Sequence, residues 1–211
     1  MKLILENWRK FKDETLNEVE SAPWWDADPH GREHAHGRHP EPYGSKAARS
    51  FTIRHPLNDP GIKSNRGFEM SRYVVGPNKG KKTHHNGIDF NVGLGTEVYA
   101  AASGIVTTAQ ADDTYDPENP ESPNSDPSGK HIIIEHSHTD GVYTTQYIHL
   151  SKLEVGRRAW VEEGRLIGYT GMTGAANGPH LHFAMSLRKP AAGRKAGWLD
   201  PALFIRSSPK G

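Results

Sequence analysis

The run His180-Leu181-His182-Phe183 alternates imidazoles with large apolar side chains, a period of two that reads as a β-strand with one buried face. Residues i and i+2 of a strand lie about 6.5 to 7 Å apart on one face. His180 and His182 therefore project together, while Leu181 and Phe183 face the interior. Two other short stretches carry the same kinds of side chain: His85-Asn86-Gly87-Ile88-Asp89 and Tyr147-Ile148-His149-Leu150. Together the three offer four histidines and one aspartate. Neutral imidazole and carboxylate are what a catalytic zinc takes as ligands, with one position left open for water.

The spacing limits how these groups can meet. On an uninterrupted strand His85 and Asp89 would sit roughly 13 Å apart, too far for two bonds of about 2 Å to one ion. Asn86 and Gly87 predict a turn before Ile88 that folds His85 back over Asp89. A helix would also bring residues four apart together. The segment Val92-Gly93-Leu94-Gly95-Thr96-Glu97-Val98-Tyr99 that follows instead reads as turn and strand, from its glycines and β-branched residues. Spacing alone leaves open which of His180 and His182 holds a metal.

In this order the three stretches resemble the M23 zinc metallopeptidases, the lysostaphin-like or LytM-like peptidoglycan endopeptidases, whose pattern is H-x-G-x-D, then Y-x-H-L, then G-P-H-L-H-F. The resemblance runs from Met70 to Phe204. It includes Gly95-Thr96-Glu97-Val98-Tyr99-Ala100-Ala101, Gly164-Arg165-Leu166-Ile167-Gly168, Thr173-Gly174 and Asp200-Pro201. It implies a mainly β fold, an antiparallel two-sheet domain of the duplicated-hybrid-motif type with the site in a groove across one sheet. It also implies one zinc ion held by His85, Asp89 and His182. His149 and His180 would then be the catalytic histidines that orient the water, take its proton or stabilise the oxyanion. Many relatives carry an upstream tyrosine that stabilises the tetrahedral intermediate, and Tyr73 is the candidate here. The implied reaction is hydrolysis of peptide cross-links in bacterial peptidoglycan by a monomeric zinc endopeptidase. No glutamate base is needed, and no HExxH string occurs. The alternative reading is a non-catalytic wall- or partner-binding module, or a virion structural component.

The chain departs from the family pattern in two places. Many relatives follow H-L-H-F with glutamate, where this chain has Ala184; by alternation that position shares the face of His182. The segment Ala111–Lys130 stands where compact relatives have a short turn. Its Asp, Glu, Pro and Ser content predicts an exposed insertion.

Composition bounds what remains. The 211 residues allow one ordinary domain plus an extension, expected as residues 51–211 and 1–50. With 26 basic against 25 acidic residues, the chain lacks the basic excess of a nucleic-acid binder. Cysteine is absent, so neither disulfides nor thiolate metal sites enter. No apolar run is long enough to span a membrane. No signal peptide is evident either, because Glu6, Arg9 and Lys10 interrupt the first apolar run. A wall substrate in the periplasm or outside the cell is compatible with that if the enzyme is a bacteriophage endolysin released by a holin, or a lysin carried in a virion.

Along the chain, Leu3, Leu5, Trp8, Phe11, Leu16 and Val19 predict a helix over Ile4–Val19. Residues 23–50 read as an extended segment rich in Pro, Gly, His and Trp, with His30, His34, His36 and His39 spaced like a metal tract; the segment could restrain activity by covering the groove. A short strand is expected at Phe51–Ile53, with His55 structural. Glu97–Ala101 is expected to pair with Gly104–Thr108. His131–Glu135 and Val142–His149 are expected as a hairpin turning on Asp140-Gly141, with Arg165–Thr170 and Leu181–Met185 continuing the sheet. His131, His136 and His138 are expected at the surface.

Overall fold

The computed structural model describes residues 51–206 except positions 60, 63, 65–66, 73–81, 121 and 191–195. The helix expected at Ile4–Val19, the segment 23–50 with its histidines, the boundary at residue 50 and Tyr73 lie outside the described residues.

Among the described residues twelve strands follow one another: β1 Glu69–Arg72, β2 Lys82–His85, β3 Gly87–Phe90, β4 Glu97–Tyr99, β5 Gly104–Gln110, β6 His131–His138, β7 Gly141–Ile148, β8 Leu150–Leu153, β9 Trp160–Val161, β10 Leu166–Thr170, β11 Leu181–Pro190 and β12 Gly197–Leu199. A 3₁₀ turn at Pro201–Leu203 comes last. Every ladder between them is antiparallel. The main sheet has seven strands in the order β12-β11-β7-β6-β5-β9, with β3 also on β11. A second sheet has the order β4-β10-β8, and β1 and β2 form a separate ribbon.

β11 organises the site. One of its edges pairs along most of its length with β7. The other edge is shared: β3 pairs with Leu181–Ala184, and β12 with Met185–Leu187. The first half of β11 is thus flanked on both sides, and Leu181–Leu187 is buried throughout. Leu181 and Phe183 are fully buried, as the alternation predicts. Phe183 packs against its cross-strand neighbour Tyr147, with ring centroids 5.3 Å apart. The core continues through Ile132, Ile134, Val106, Val161 and Ile167, all fully buried.

Several expectations need correction. β4 does not pair with β5; it pairs with β10, whereas β5 pairs with β6 and β9. The buried Ala100, Ala101 and Ala102 between them carry the chain from the small sheet into the large one. For the same reason β10 belongs to the small sheet and does not continue the one containing β11. The hairpin β6–β7 is present, but its loop is Thr139-Asp140. Gly141 already pairs with His138, at φ +148°. Phe51–Ile53 contributes only a single parallel bridge, Ile53 to Ile205.

His136 is 1 % exposed and not a surface residue. It shares the inward parity of Ile132 and Ile134 on β6. Its imidazole spans Ser103 O (2.9 Å from Nδ1) and Thr145 Oγ1 (2.8 Å from Nε2). Burial pushes its pKa down to about 4, against a smaller opposing effect of the Ser103 hydrogen bond. His55 is structural as expected: its ring nitrogens lie 3.2 and 3.1 Å from Leu57 O and Ile62 O, and it meets Phe90 edge-on.

Candidate metal centre

The register of three neighbouring strands builds most of the site. His182 on β11 is the Cα partner of Asp89 on β3 and of Ile148 on β7, the residue before His149. Directly opposed residues in an antiparallel ladder hold their Cβ atoms about 4.5 to 5.5 Å apart, so pairing alone brings Asp89 to His182.

The expected turn before Ile88 does not form: Asn86 only separates β2 from β3, Gly87 begins β3, and His85 still meets Asp89. β2 pairs with β1, β3 pairs with β11, and the ladder is interrupted at Asn86. Gly87 has a specific reason to lack a side chain. A Cβ there would lie 2.6 Å from Phe183 O and 2.8 Å from His182 Nε2. The β3 backbone therefore runs close over the His182 ring.

Three donor atoms converge. His85 Nε2 lies 3.1 Å from Asp89 Oδ1 and 3.1 Å from His182 Nδ1, and His182 Nδ1 lies 2.8 Å from Asp89 Oδ1. Zinc with bonds of about 2.0 to 2.1 Å in tetrahedral geometry separates its ligand atoms by about 3.3 Å. The cluster thus needs only a slight expansion to accept the ion. His85, Asp89 and His182 are 7 %, 7 % and 9 % exposed, and among the described residues they form the one group of three or more His, Asp, Glu or Cys side chains with metal-binding geometry. The Nδ1–H of His85 donates to Gly67 O at 2.8 Å, which leaves Nε2 as the ligand atom. Burial acts to raise the Asp89 pKa, but hydrogen bonds with His182 and His85 outweigh it and hold the carboxyl well below its usual range. Burial lowers the His182 pKa, opposed by its bond to Asp89. An ionised carboxylate beside neutral imidazoles is the state in which such ligands bind metal.

His149 and His180 stand beside this triad. Their ring centroids are 4.7 Å apart, and His149 lies 6.2 Å from His182. Each is held through Nδ1 by a backbone carbonyl: His149 by Thr173 O and His180 by Gly178 O, both at 2.8 Å. This arrangement leaves Nε2 of each ring facing the groove. Burial pushes the pKa of His149 down to about 3, with His182 and His180 adding to the effect. His149 also occupies the left-handed region, at φ +64°, which non-glycine residues adopt only where the surroundings impose it.

All five side chains line one groove of about 840 Å³, together with Asn91, Val92, Gly93, Pro127, Ala175 and Asn177–Pro179. The structure therefore gathers every site residue expected from the sequence within its described part. The three carbonyls of Gly67, Thr173 and Gly178 were not foreseen. A backbone oxygen leaves no mark in a sequence, although Thr173-Gly174 was among the resembling pieces. Ala184 is fully buried, opposite Gly87 and Gln146.

An antiparallel β scaffold that gathers two imidazoles and a carboxylate able to hold one cation, with two further histidines in the same groove, has the make-up of a single-metal hydrolytic centre. The profile of peptidase family M23 matches residues 83–193, and the chain belongs to that family, whose metallopeptidases are zinc-dependent. Over 165 residues it is 32 % identical to the peptidoglycan DD-endopeptidase ShyA of Vibrio cholerae, covering 77 % of this chain and 34 % of that protein. Over 144 residues it is 31 % identical to lysostaphin of Staphylococcus simulans, covering 68 % and 25 %. Among solved structures, a zinc containing peptidase from Vibrio cholerae superposes with a TM-score of 0.51 at 30 % identity, over 70 % of this chain and 40 % of that one. The chain spans about a third or less of the length of these curated relatives.

Proposed function

We propose that this protein is a zinc-dependent endopeptidase that hydrolyses peptide cross-links of bacterial peptidoglycan. The observation that carries the reading is the convergence of His85 Nε2, Asp89 Oδ1 and His182 Nδ1 beside two histidines whose Nδ1 atoms are already engaged. The named activities of the relatives, a peptidoglycan DD-endopeptidase and lysostaphin, support the substrate class.

Zinc, when bound, supplies Lewis acidity, lowering the pKa of a coordinated water toward about 7 and polarising a carbonyl. The chain's own groups do the rest. Asp89 offsets part of the positive charge. His85 and His182 complete the grip, oriented by Gly67 O and by the β3–β11 ladder. His149 and His180 present Nε2 to the groove; each can accept a proton from the attacking water or return one to the leaving amine. The low pKa of His149 keeps it neutral at neutral pH. The open groove, with Gly93, Ala175 and Gly178 on its walls, suits an extended peptide.

The test is hydrolysis of purified peptidoglycan with and without a chelator, and with His149→Ala. Chelator-sensitive release of peptides, abolished in the variant, is the expected result. Release that survives complete zinc removal rejects the proposal. The relatives include DD-endopeptidases and a glycyl-glycine endopeptidase, and mass spectrometry of the released fragments identifies the bond cleaved.

A further inference from the structure

The acidic segment Ala111–Lys130, unexplained by the metal centre, ends against His149. Three backbone–backbone hydrogen bonds, and one from a backbone N–H to a carboxylate, join it to the loops that carry the two groove histidines. The N–H of His149 donates to Ser128 O (3.1 Å), that of Leu150 to Lys130 O (2.8 Å) and that of Ala175 to Pro127 O (2.8 Å). The N–H of Gly174 donates to the Asp113 carboxylate, at 3.1 and 3.3 Å from its two oxygens. Thr173 is the joint. Its hydroxyl accepts from Lys130 N–H (2.9 Å) and donates to Leu150 O (2.8 Å), while its own carbonyl takes the Nδ1–H of His149 (2.8 Å).

The two segments meet backbone to backbone. A Cβ on Gly129, at φ +59°, would lie 2.4 Å from Gly174 N, and one on Gly174, at φ +72°, would lie 2.4 Å from Pro127 O. Both glycines use the left-handed region that favours glycine. His149, held in the same region without that freedom, therefore has its main chain fixed by Ser128 and its ring fixed by Thr173.

We infer that the Ala111–Lys130 segment is a positioning device for His149, with Asp113 and Thr173 as the side chains that transmit its hold. This rests on the proposed catalytic role of His149. Neither residue lines the groove; each acts by keeping Thr173 O where it selects the tautomer that leaves Nε2 of His149 free. A displaced catalytic group costs rate far more than binding.

The experiment uses the zinc-loaded full chain and purified soluble cross-linked muropeptides. It measures kcat, KM and zinc content, and reads the tautomer of His149 from histidine ¹⁵N–¹H correlation spectra assigned with His149→Ala. Asp113→Ala and Thr173→Val are expected to lower kcat roughly three- to thirtyfold with KM within about twofold. Zinc content stays unchanged, and His149 changes from one tautomer to a mixture. Asp113→Asn and Thr173→Ser, which keep the acceptor and the hydroxyl, are expected to restore both readouts. Asp113 is exposed, so its alanine variant remains informative if Thr173→Val does not fold. Wild-type kcat and a single tautomer in Asp113→Ala, or a lowered kcat with the tautomer unchanged, overturns the inference. A fully active His149→Ala overturns instead the reading on which it rests.

Discussion

Asp89 and His182 are Cα partners across the β3–β11 ladder, and Oδ1 of the first lies 2.8 Å from Nδ1 of the second. Two side chains from distant parts of the sequence are thus brought together by register, not by a loop. His182→Ala and Asp89→Ala should each remove a ligand without disturbing the pairing that places the other. The expected outcome is loss of stoichiometric zinc, measured by elemental analysis after dialysis, with activity lost in parallel.

His149 should separate from that pair. It lines the same groove, but its Nδ1 is bonded to Thr173 O and it does not belong to the three-donor cluster. His149→Ala is expected to retain zinc and to lose turnover by about 10²- to 10⁴-fold, the usual contribution of a positioned proton-transfer group. A zinc-free variant would move His149 into the ligand set.

Gly87 carries a steric prediction. Gly87→Ala would put a Cβ within 2.6 Å of Phe183 O and 2.8 Å of His182 Nε2. The strand must shift, at an expected cost of about 1 to 3 kcal/mol, and zinc affinity should fall with it. Chemical denaturation and zinc titration measure the two effects. Equal stability and affinity in both proteins would show that the β3 backbone does not press on the imidazole.

Much of this centre is legible in the sequence. The alternation His180-Leu181-His182-Phe183 predicts the strand and the full burial of Leu181 and Phe183, although His182 is buried too once β3 and β7 flank β11. What sequence did not convey is which strands neighbour one another. Three buried alanines, Ala100–Ala102, pass the chain between sheets, yet small apolar residues look the same in a hairpin and in a crossover. His136 was misread because histidine is polar. Its parity with Ile132 and Ile134 is present in the sequence, but its partners, Ser103 O and Thr145 Oγ1, come from the bend before β5 and from β7.

That buried histidine makes acid stability a readable quantity. Its folded pKa, about 4, lies below the unfolded value of 6.5. The unfolded chain takes up a proton first as pH falls. The stabilising effect of keeping His136 neutral is therefore present above pH 6.5, is lost between 6.5 and about 4, and changes no further below that. The loss amounts to about 3 kcal/mol, each pKa unit being worth about 1.4 kcal/mol. Thermal unfolding across this window should show a shallower acid dependence in His136→Gln than in the parent. Parallel pH profiles would indicate that His136 titrates normally in the folded protein.

The most direct measurement of the central claim is anomalous diffraction at the zinc edge from crystals of the zinc-loaded protein. The expected result is a single strong peak within about 2.2 Å of His85 Nε2, Asp89 Oδ1 and His182 Nδ1 together, with His149 and His180 outside bonding distance. A peak lying elsewhere, or one that these three atoms do not share, would contradict the metal centre and the hydrolytic function built on it.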